Sequence, residues 1–262
     1  MRFAYRIVDV FSDRPLAGNA LCVVLDPVPS PVMAAMAREV NLSETTFPVV
    51  VADAEYDVRI FTPGEELPFA GHPTLGTAWV LGPGRWLQHS AGADVVVTAD
   101  VHGSVMVAPP TTFEEIDAGA AADALGLPGA EGAFVSEAGG TRHLIVPTEA
   151  PLERLLPDTA ALVALSRKHR TTSVSPIRRI DDRTLHVRAF CPATGIIEDP
   201  GTGSLAGPSG LLARQQWSME VDITIRQGGE MGRPCIISVH ADEADLRVGG
   251  AVTPCAEGHF TL

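Results

Sequence analysis

Lysine is almost absent from this sequence: Lys168 is the only one among 262 residues. Acidic side chains outnumber lysine and arginine by 32 to 19, which gives a formal net charge of −13 at pH 7. Because nucleic-acid phosphates are bound by clustered lysine and arginine, this composition argues against a nucleic-acid partner. Lys168 lies in a basic run, residues 167–170, that suits the end of a helix. A pyridoxal-phosphate enzyme needs a lysine in its pocket, so this cofactor is not expected.

Long apolar runs and paired metal-binding motifs are also missing. No stretch reaches the roughly 18 apolar residues that a membrane-spanning helix needs. The start, "MRFAYRIVDVF", alternates like a strand and lacks the features of a signal peptide. The four cysteines form no CxxC pair, and the eight histidines show no HExxH spacing. We therefore expect a cytoplasmic protein with reduced thiols, no membrane partner and no metal.

What the sequence does contain is a repeat. "VRIFTP" occupies residues 58–63, and "VRAFCP" occupies residues 187–192, 129 positions later. Each copy leads to a polar side chain followed by proline, His72 in the first case and Asp199 in the second. The two copies indicate that the chain consists of two similar halves.

The predicted elements around the two copies follow the same order: strand, helix, strands, buried helix, strands. Ser30, followed by proline, favours a helix start in the first half, and Asp158 favours one in the second. Residues 74–81 and 204–213 are apolar nearly all round, which is typical of helices enclosed by sheet. Each half therefore has its own candidate central helix.

Alternating segments over residues 93–108 and 235–250 predict a hairpin at the end of each half. The stretch "APPTT" and the Ala/Gly-rich run after it mark a boundary near residue 110. We therefore predict an α+β fold of two pseudo-symmetric domains, residues 1–110 and 111–262. Each domain is expected to be a curved mixed or antiparallel sheet around a central helix, with the last residues able to pack back on the first half.

The two polar turns are expected to be two walls of one cleft, because the interface between duplicated halves is a common place for a pocket. Both turns lie at predicted helix N-termini, where unpaired backbone N–H groups attract anions. Gly201 and Gly203 would let the backbone approach a ligand, and Thr202 and Ser204 add hydroxyl groups. The turns would thus cradle a small carboxylate. The plainer interpretation is a well-capped helix start, with Asp199 as its cap.

Two other site types are weakly indicated. "GTGSLAG" differs from the dinucleotide-binding pattern, and Glu198 and Asp199 directly before it would repel a pyrophosphate. A serine hydrolase would use Ser204 or Ser209 as nucleophile with His72 as base, but neither serine lies in a G-x-S-x-G motif. The hydrolase is the alternative enzyme class.

Four stretches together resemble the phenazine-biosynthesis PhzF-like isomerases, which share the fold of diaminopimelate epimerase. They cover both halves in the family's order: "VDVFSDRPLAGNA" (8–20), "NLSETTFP" (41–48), "VRIFTPGEELPFAGHPTLGTAW" (58–79) and "VRAFCPATGIIEDPGTGS" (187–204). The resemblance spans essentially the whole chain, and it is more specific for the fold than for the substrate.

The resemblance implies roles for residues that their own sequence context does not reveal. Glu44, by itself an ordinary strand glutamate, corresponds to the family's general acid/base. His72, Asp199 and Ser204 fall on other active-site positions, and Asn19 corresponds to an asparagine that lines the pocket. The catalytic candidates are thus Glu44, His72 and Asp199. The substrate-binding candidates are Asn19, Ser43, Gly71, Thr74, Thr202, Gly203 and Ser204.

This set suits an isomerase that moves a proton and a double bond in a small unsaturated amino- or hydroxy-carboxylic acid of specialised metabolism. One carboxyl group can remove and return the proton, and helix-end amides would stabilise the charge that develops, so no cofactor is required. The chain departs from the family at Ala20 and Gly201, and Pro208 is expected to kink or shorten the second central helix. A member that binds a small molecule without turnover is the alternative from another functional class.

The resemblance also implies a homodimer and an absence of thiol chemistry. The hairpin over residues 93–108 has an apolar face and edge that a second copy would cover. The epimerase relatives carry a cysteine on each of the two turns, whereas neither turn has one here. Cys191 lies nearby without a cysteine partner at Thr62, so racemisation by two thiols is not expected.

Overall fold

The computed structural model describes residues 1–127, 130, 132–242 and 244–262. Within them, eighteen strands are linked by hydrogen bonds into one mixed, extensive sheet, and the helices are few. The strands are β1 Arg2–Val10, β2 Asn19–Val24, β3 Glu44–Ala52, β4 Glu55–Phe61, β5 Glu66–Leu67, β6 Gly84–His89, β7 Asp94–Ala99, β8 Gly103–Val107, β9 Thr112–Ile116, β10 Ala133–Ala138, β11 Thr141–Pro147, β12 Ser173–Asp181, β13 Thr184–Val187, β14 Ala189–Cys191, β15 Ile196–Asp199, β16 Asp222–Gln227, β17 Cys235–Asp242 and β18 Asp245–Thr261. The helices are α1 Ser30–Val40, α2 Gly71–Leu81, α3 Gly119–Leu125, α4 Thr159–His169 and α5 Gly203–Trp217, with short 3-10 segments at Pro192–Thr194 and Gly229–Met231.

Two helices lie deep in the molecule. In α2 nearly all residues are buried, and in α5 every residue from Gly203 to Ala213 is buried. Helix α2 packs on β1, β2, β3, β7 and β8, whereas α5 packs on β17, β18 and β10 to β12. Both helices begin earlier than their apolar pattern predicts. Pro73 falls in the first turn of α2, where the N–H that proline lacks would have no helical partner.

The expectation that Pro208 shortens the second central helix is wrong. Helix α5 runs for 15 residues, from Gly203 to Trp217, with Pro208 inside it. Proline removes one helical hydrogen bond, the one to the carbonyl of Ser204. Because the surrounding residues of α5 are buried against sheet, packing stabilises the helix through this position.

The chain's last strand joins distant parts of the sheet. Strand β18 pairs antiparallel with β1 from Arg2↔Thr261 to Val10↔Val252, and it also pairs with β17 and β8. The predicted hairpin over residues 93–108 forms as β7 and β8, but β18 occupies the edge of β8. The expectation of a free edge in this hairpin is therefore wrong. Its outward face does remain exposed, at Val105 and Val107.

The predicted helix starts differ in detail. The Asp158 side chain accepts hydrogen bonds from the backbone N–H groups of Ala160 and Ala161 at 2.8 and 3.0 Å, as expected of an N-cap. Ser30 is instead the first residue of α1, and the capping position before it is Pro29, which makes no side-chain cap. Among the described residues, no helix has the length and apolar character needed to cross a membrane.

Candidate active site

The starts of α2 and α5 meet backbone to backbone. A Cβ atom on Gly71 would lie 2.4 Å from both the carbonyl carbon of Gly203 and the amide nitrogen of Ser204. A Cβ atom on Gly203 would lie 2.9 Å from the carbonyl carbon of Gly71 and the amide nitrogen of His72. Only glycine fits this approach at either position. The two polar turns of the repeat are thus brought together, as the sequence predicts.

Asn19 connects the two turns through one amide group. Its Nδ2 donates to Asp199 Oδ1 at 2.8 Å and to the Gly201 carbonyl at 2.9 Å. The same nitrogen lies 3.2 Å from His72 Nδ1. Asn19 is the first residue of β2 and is buried, so these contacts are shielded from water. The side chain therefore fixes the polar groups of both turns in one geometry.

Asp199 is also held by hydrogen bonds from residues other than Asn19. Thr202 Oγ1 donates to Asp199 Oδ2 at 2.5 Å, and Gln227 Nε2 donates to the Asp199 carbonyl at 2.8 Å and to Thr202 Oγ1 at 3.0 Å. Burial raises the pKa of Asp199, while hydrogen bonds from Thr202, Asn19 and Ser43 lower it. These donors favour the ionised carboxylate. Ser43, half-buried, thus belongs to the Asp199 network.

Glu44 faces His72 in a buried position. Glu44 begins β3 beside Leu21 of β2, and its Oε2 lies 3.4 Å from His72 Nε2. Neither of these two atoms has a hydrogen-bond partner in the part of the chain that the structure describes. Glu44 is 8% exposed and His72 is 2% exposed, so water is almost excluded. A small ligand entering here would find one free carboxyl oxygen and one free ring nitrogen.

Burial moves the pKa values of this pair in opposite directions. Desolvation and the negative charge of Asp199 raise the pKa of Glu44 well above its ordinary value. Desolvation lowers the pKa of His72 to about 3, against a smaller opposite effect of a hydrogen bond to the Ala20 backbone. His72 is therefore neutral at physiological pH, and its contact with Glu44 is not an ion pair.

One protein family matches nearly the whole chain. The family of phenazine biosynthesis-like proteins, PhzC-PhzF, matches residues 8–258. The chain belongs to this family. A trans-2,3-dihydro-3-hydroxyanthranilate isomerase from Pseudomonas aeruginosa is 37% identical over 264 residues, covering 93% of this chain and 92% of the relative. A protein of the same name from Pseudomonas chlororaphis is 37% identical over 260 residues, covering 91% and 90%. The protein is thus an isomerase, as the sequence predicts.

Solved structures show the same fold. A PhzF-family protein from Bacillus anthracis superposes with a TM-score of 0.86 over 100% of both chains, at 22% sequence identity. A predicted epimerase from Pseudomonas aeruginosa gives a TM-score of 0.84 at 29% identity over 99% of both chains. A hydroxyproline epimerase from Agrobacterium vitis gives 0.67 at 10% identity, over 100% of this chain and 93% of that chain. The fold is therefore that of the PhzF proteins and is similar to the fold of this epimerase.

Two predicted binding residues of this PhzF-family protein have hydroxyl groups that are already engaged. Thr74 Oγ1 donates to the Ala70 carbonyl at 2.9 Å and accepts from Gln88 Nε2 at 2.9 Å. Gln88 in turn accepts from the Tyr56 hydroxyl at 2.9 Å. Thr74 is fully buried, so this side chain fastens the first turn of α2 to β4 and β6. The hydroxyl of Thr202 is likewise held between Asp199 and Gln227.

Ser204 hydrogen bonds to a histidine that the sequence reasoning missed. Its Oγ lies 3.0 Å from Nε2 of His143 on β11, not beside His72. His143 Nδ1 faces the Ser173 hydroxyl at 2.8 Å, so a serine, and no carboxylate among the described residues, orients this ring. Ser209 Oγ is buried without a partner in the described residues. The arrangement that a serine hydrolase needs, nucleophile, His72 and an orienting acid, is therefore not formed.

Gly201, one of the positions at which the chain departs from the pattern of the family it resembles, packs against a cysteine. A Cβ atom at Gly201 would lie 2.6 Å from Cys235 Sγ and 3.0 Å from the Phe11 ring. The thiol of Cys235 thus fills the space that an alanine methyl would need. Burial, with the nearby charge of Asp199, raises the pKa of the Cys191 thiol well above its ordinary value. This thiol is therefore protonated and a poor base.

Proposed function

We propose that the protein moves a proton, and with it a double bond, within a small amino- or hydroxy-substituted unsaturated carboxylic acid, using Glu44 as the single acid/base. The observation that carries the proposal is the position of Glu44 Oε2, buried, without a partner in the described residues, and 3.4 Å from His72 Nε2. Moving the double bond means removing a proton from one carbon and returning it to another carbon of the same unsaturated system, and one carboxyl group on one face of the substrate can do both.

The division of charge between two carboxyl groups supports this role. Asp199 accepts hydrogen bonds from Asn19 and Thr202, whereas Glu44 Oε2 accepts none in the described part of the chain. These contacts favour the ionised form of Asp199, whereas burial and the nearby Asp199 favour the protonated form of Glu44. Desolvation and the Asp199 charge raise the pKa of Glu44 well above its ordinary value, and a raised pKa suits a carboxyl group that must both take and give a proton. Neutral His72 can donate to or accept from the substrate without adding charge.

The helix starts supply the binding site for the substrate carboxylate in this proposal. The N-termini of α2 and α5, whose first backbone N–H groups lack helical partners and attract anions, meet where Gly71 and Gly203 touch. Ser204 adds a hydroxyl group at the same place. Asn19, Ser43, Thr74 and Thr202 then hold the catalytic groups and the helix starts in position rather than bind the substrate through free hydroxyl or amide groups.

The relatives from Pseudomonas are named for trans-2,3-dihydro-3-hydroxyanthranilate, which is a small cyclic amino acid with a hydroxyl group and double bonds. We propose a substrate of this chemical class and a role in specialised-metabolite biosynthesis. Gly201, where the resemblance implies an alanine, packs against Cys235 Sγ, so we propose that the wall of the second turn differs from that of the named relatives. The named compound is therefore the first to test, followed by analogues with different ring substituents.

Deuterium incorporation tests the reaction. In D₂O, the product formed from trans-2,3-dihydro-3-hydroxyanthranilate should carry deuterium at the reprotonated carbon, detected by NMR. Glu44→Gln keeps the shape of the side chain but removes the exchangeable acid, so turnover should fall by roughly 10²–10⁴. Glu39→Gln, on the exposed face of α1, is the matched control and should keep full activity. Full activity in the Glu44→Gln protein would rule out this residue as the acid/base.

The alternative is a protein that binds such acids without turnover. It would bind tightly the aromatic counterpart, 3-hydroxyanthranilate, yet show no exchange of substrate protons with D₂O. The engaged hydroxyl groups of Thr74 and Thr202 fit either function, but the free oxygen of Glu44 favours catalysis.

We further propose that the fold consists of two pseudo-symmetric domains, residues 1–110 and 111–262, each with its sheet around α2 or α5. The pairing of β9 with β10, beginning directly after residue 110, supports this boundary. Limited proteolysis should first cut between β8 and β9, giving fragments whose masses correspond to the two halves. First cuts only elsewhere would argue for a different division.

We also propose a cytoplasmic homodimer. The outward face of β8 and β17 exposes Val105, Val107 and Ile236, and it borders a groove of about 600 Å³. A second copy would cover this face by apolar contact, because a chain with a net charge of −13 cannot pair with itself through charge. Light scattering should give a mass near twice 27.6 kDa that persists in high salt. A monomer at micromolar concentration would contradict the dimer, and Val105→Lys should shift the mass to that of the monomer.

A further inference from the structure

A buried chain of hydrogen bonds links the candidate site to the interior of the sheet. It begins at Ser204 Oγ, which lies 3.0 Å from His143 Nε2. His143 Nδ1 lies 2.8 Å from Ser173 Oγ, and Ser173 Oγ lies 2.7 Å from Ser175 Oγ. His143 is 1% exposed, and Ser173 and Ser175 are fully buried. The chain therefore has one end at the start of α5 and one end in the core.

His143 is neutral in this chain, which leaves two possible directions for the protons. Burial lowers the pKa of His143 to about 3. A neutral imidazole donates from one ring nitrogen and accepts at the other. In the inward direction, Ser204 donates to His143, whose Nδ1–H donates to Ser173. In the outward direction, Ser173 donates to Nδ1, and the Nε2–H of His143 donates to Ser204.

The buried end decides between the two directions. Ser175 Oγ has Ser173 Oγ as its hydrogen-bond partner and makes no other hydrogen bond within the described residues. In the inward direction Ser173 accepts from His143, so one O–H group of the Ser173–Ser175 pair is left as a buried donor without an acceptor, and such donors are rare and costly. The outward direction uses the protons of Ser175, Ser173 and His143, and leaves unused only the O–H of Ser204, at the site.

We propose that His143 is a positioning residue that presents Ser204 as a hydrogen-bond donor to the carboxylate of the substrate. The donation from Nε2–H occupies a lone pair of Ser204 Oγ and directs its own O–H away from the ring. Because each bond of the chain polarises the next, the Ser204 hydroxyl becomes a stronger donor. The class of ligand rests on the proposed function, but the direction of the hydrogen bonds from Ser175 to Ser204 does not.

The outward direction of the hydrogen bonds is incompatible with Ser204 acting as a nucleophile. A hydrolase would need His143 Nε2 to accept the proton of Ser204, which is the inward direction. An Nε2–H tautomer cannot act as that base. Ser204 is therefore a binding group, and the polar residues behind it set its donor character.

The first test observes the ring itself and needs no substrate. In the full chain with ¹⁵N-labelled histidine, the His143 signals are assigned by their loss in His143→Gln. We expect a protonated Nε2 and an unprotonated Nδ1 at neutral pH. A protonated Nδ1 would overturn the proposal whatever the protein's reaction is.

The second test uses two ligands that differ in one group: 3-hydroxyanthranilate, and 2-aminophenol, which is the same ring without the carboxylate. Ser204→Ala and His143→Leu should weaken calorimetric binding of 3-hydroxyanthranilate roughly 10- to 100-fold, the usual effect of a hydrogen bond to a charged group. Binding of 2-aminophenol should not change. His143→Gln, whose amide can donate to Ser204, should recover most of the affinity.

Ser136→Ala is the matched control. Ser136 Oγ donates to the backbone carbonyl of His143 at 3.4 Å but takes no part in the hydrogen-bond chain from Ser175 to Ser204. It should bind both ligands like the parent protein. Equal losses for both ligands in His143→Leu, or no rescue by glutamine, would reduce His143 to a packing residue. Failure of the parent protein to bind 3-hydroxyanthranilate would overturn both the proposed substrate class and the carboxylate role of Ser204, while the ¹⁵N signals would still report the direction of the chain.

Discussion

Arg59 in the first copy of the repeat and Arg188 in the second each form a bidentate ion pair with a glutamate of a neighbouring strand. Arg59 Nε and Nη2 donate to Glu66 at 2.7 Å each, and Arg188 Nε and Nη2 donate to Glu198 at 2.8 Å each. Each guanidinium also lies over the phenylalanine two residues later, at 5.1 Å in the first copy and 4.8 Å in the second.

The surroundings of the two pairs differ. The side chains of Arg59 and Glu66 are 39% and 42% exposed, whereas those of Arg188 and Glu198 are 8% and 11% exposed. Arg188 also donates to the backbone carbonyls of Leu152 and Leu155, and the strand of the second copy is interrupted at this residue, between β13 and β14. The same short motif thus serves as a surface contact in one half and as a core cross-link in the other.

Removing the buried arginine should have the largest effect. Arg188→Met should lower the free energy of unfolding by about 3–5 kcal/mol, because Glu198 would be left as a buried charge without a partner. Arg59→Met, the matched control, should cost about 1 kcal/mol or less. Urea denaturation measures both. Equal losses would show that burial does not distinguish the two copies.

Lowering the pH should reduce the stability of the protein through His72, in the first turn, and not through Asp199, in the second. The pKa of His72 is about 3 in the native protein and 6.5 ordinarily, so the unfolded chain takes up a proton between these values and the native protein does not. Stability should therefore fall as pH falls from 6.5 toward 3, by about 1.4 kcal/mol per pH unit from this residue. Asp199, whose pKa is raised, acts in the opposite sense: its contribution is lost as pH rises through its native pKa.

His72→Gln should flatten this acid slope by one proton, as measured by urea denaturation at a series of pH values. His259→Gln, at an exposed position of β18, is the control and should keep the slope. An unchanged slope in His72→Gln would mean that this ring is protonated in the native protein.

The smallest effect concerns the second turn alone. Gly201→Ala should destabilise the protein by about 1–3 kcal/mol, because its methyl group would overlap Cys235 Sγ. Cys235→Ala in the same chain should recover much of this loss, giving a coupling energy of about 0.5–3 kcal/mol in a double-mutant cycle. Additive losses would show that the thiol is not what excludes the usual alanine.

The repeat explains how much of the site was visible in the sequence. His72 and Asp199 stand at matching places after two copies of one motif, so their meeting followed from the pattern. Glu44 was identified only through the family resemblance, because a glutamate that begins a strand has no local signature.

His143 and Gln227 could not be found. His143 lies inside the buried strand β11 and Gln227 ends β16, and each acts through a contact with a residue far along the chain. The different burial of Arg59 and Arg188 could not be predicted for the same reason, because the six-residue motif does not determine which distant residues pack against it. Pro208 showed the opposite error. A local rule predicted that it would kink or shorten the helix, but α5 keeps its full length because the surrounding sheet stabilises it.

The contact between Gly71 and Gly203 has a consequence for how the protein folds. These residues are separated by 132 positions, and neither helix start can reach its final place until the other half is present. Closing so long a loop is slow and is repaid only when both partners are ordered. We therefore expect the site to form in the last step of folding, after the sheets. A chain arrested before that step would contain most of the native secondary structure and have no activity.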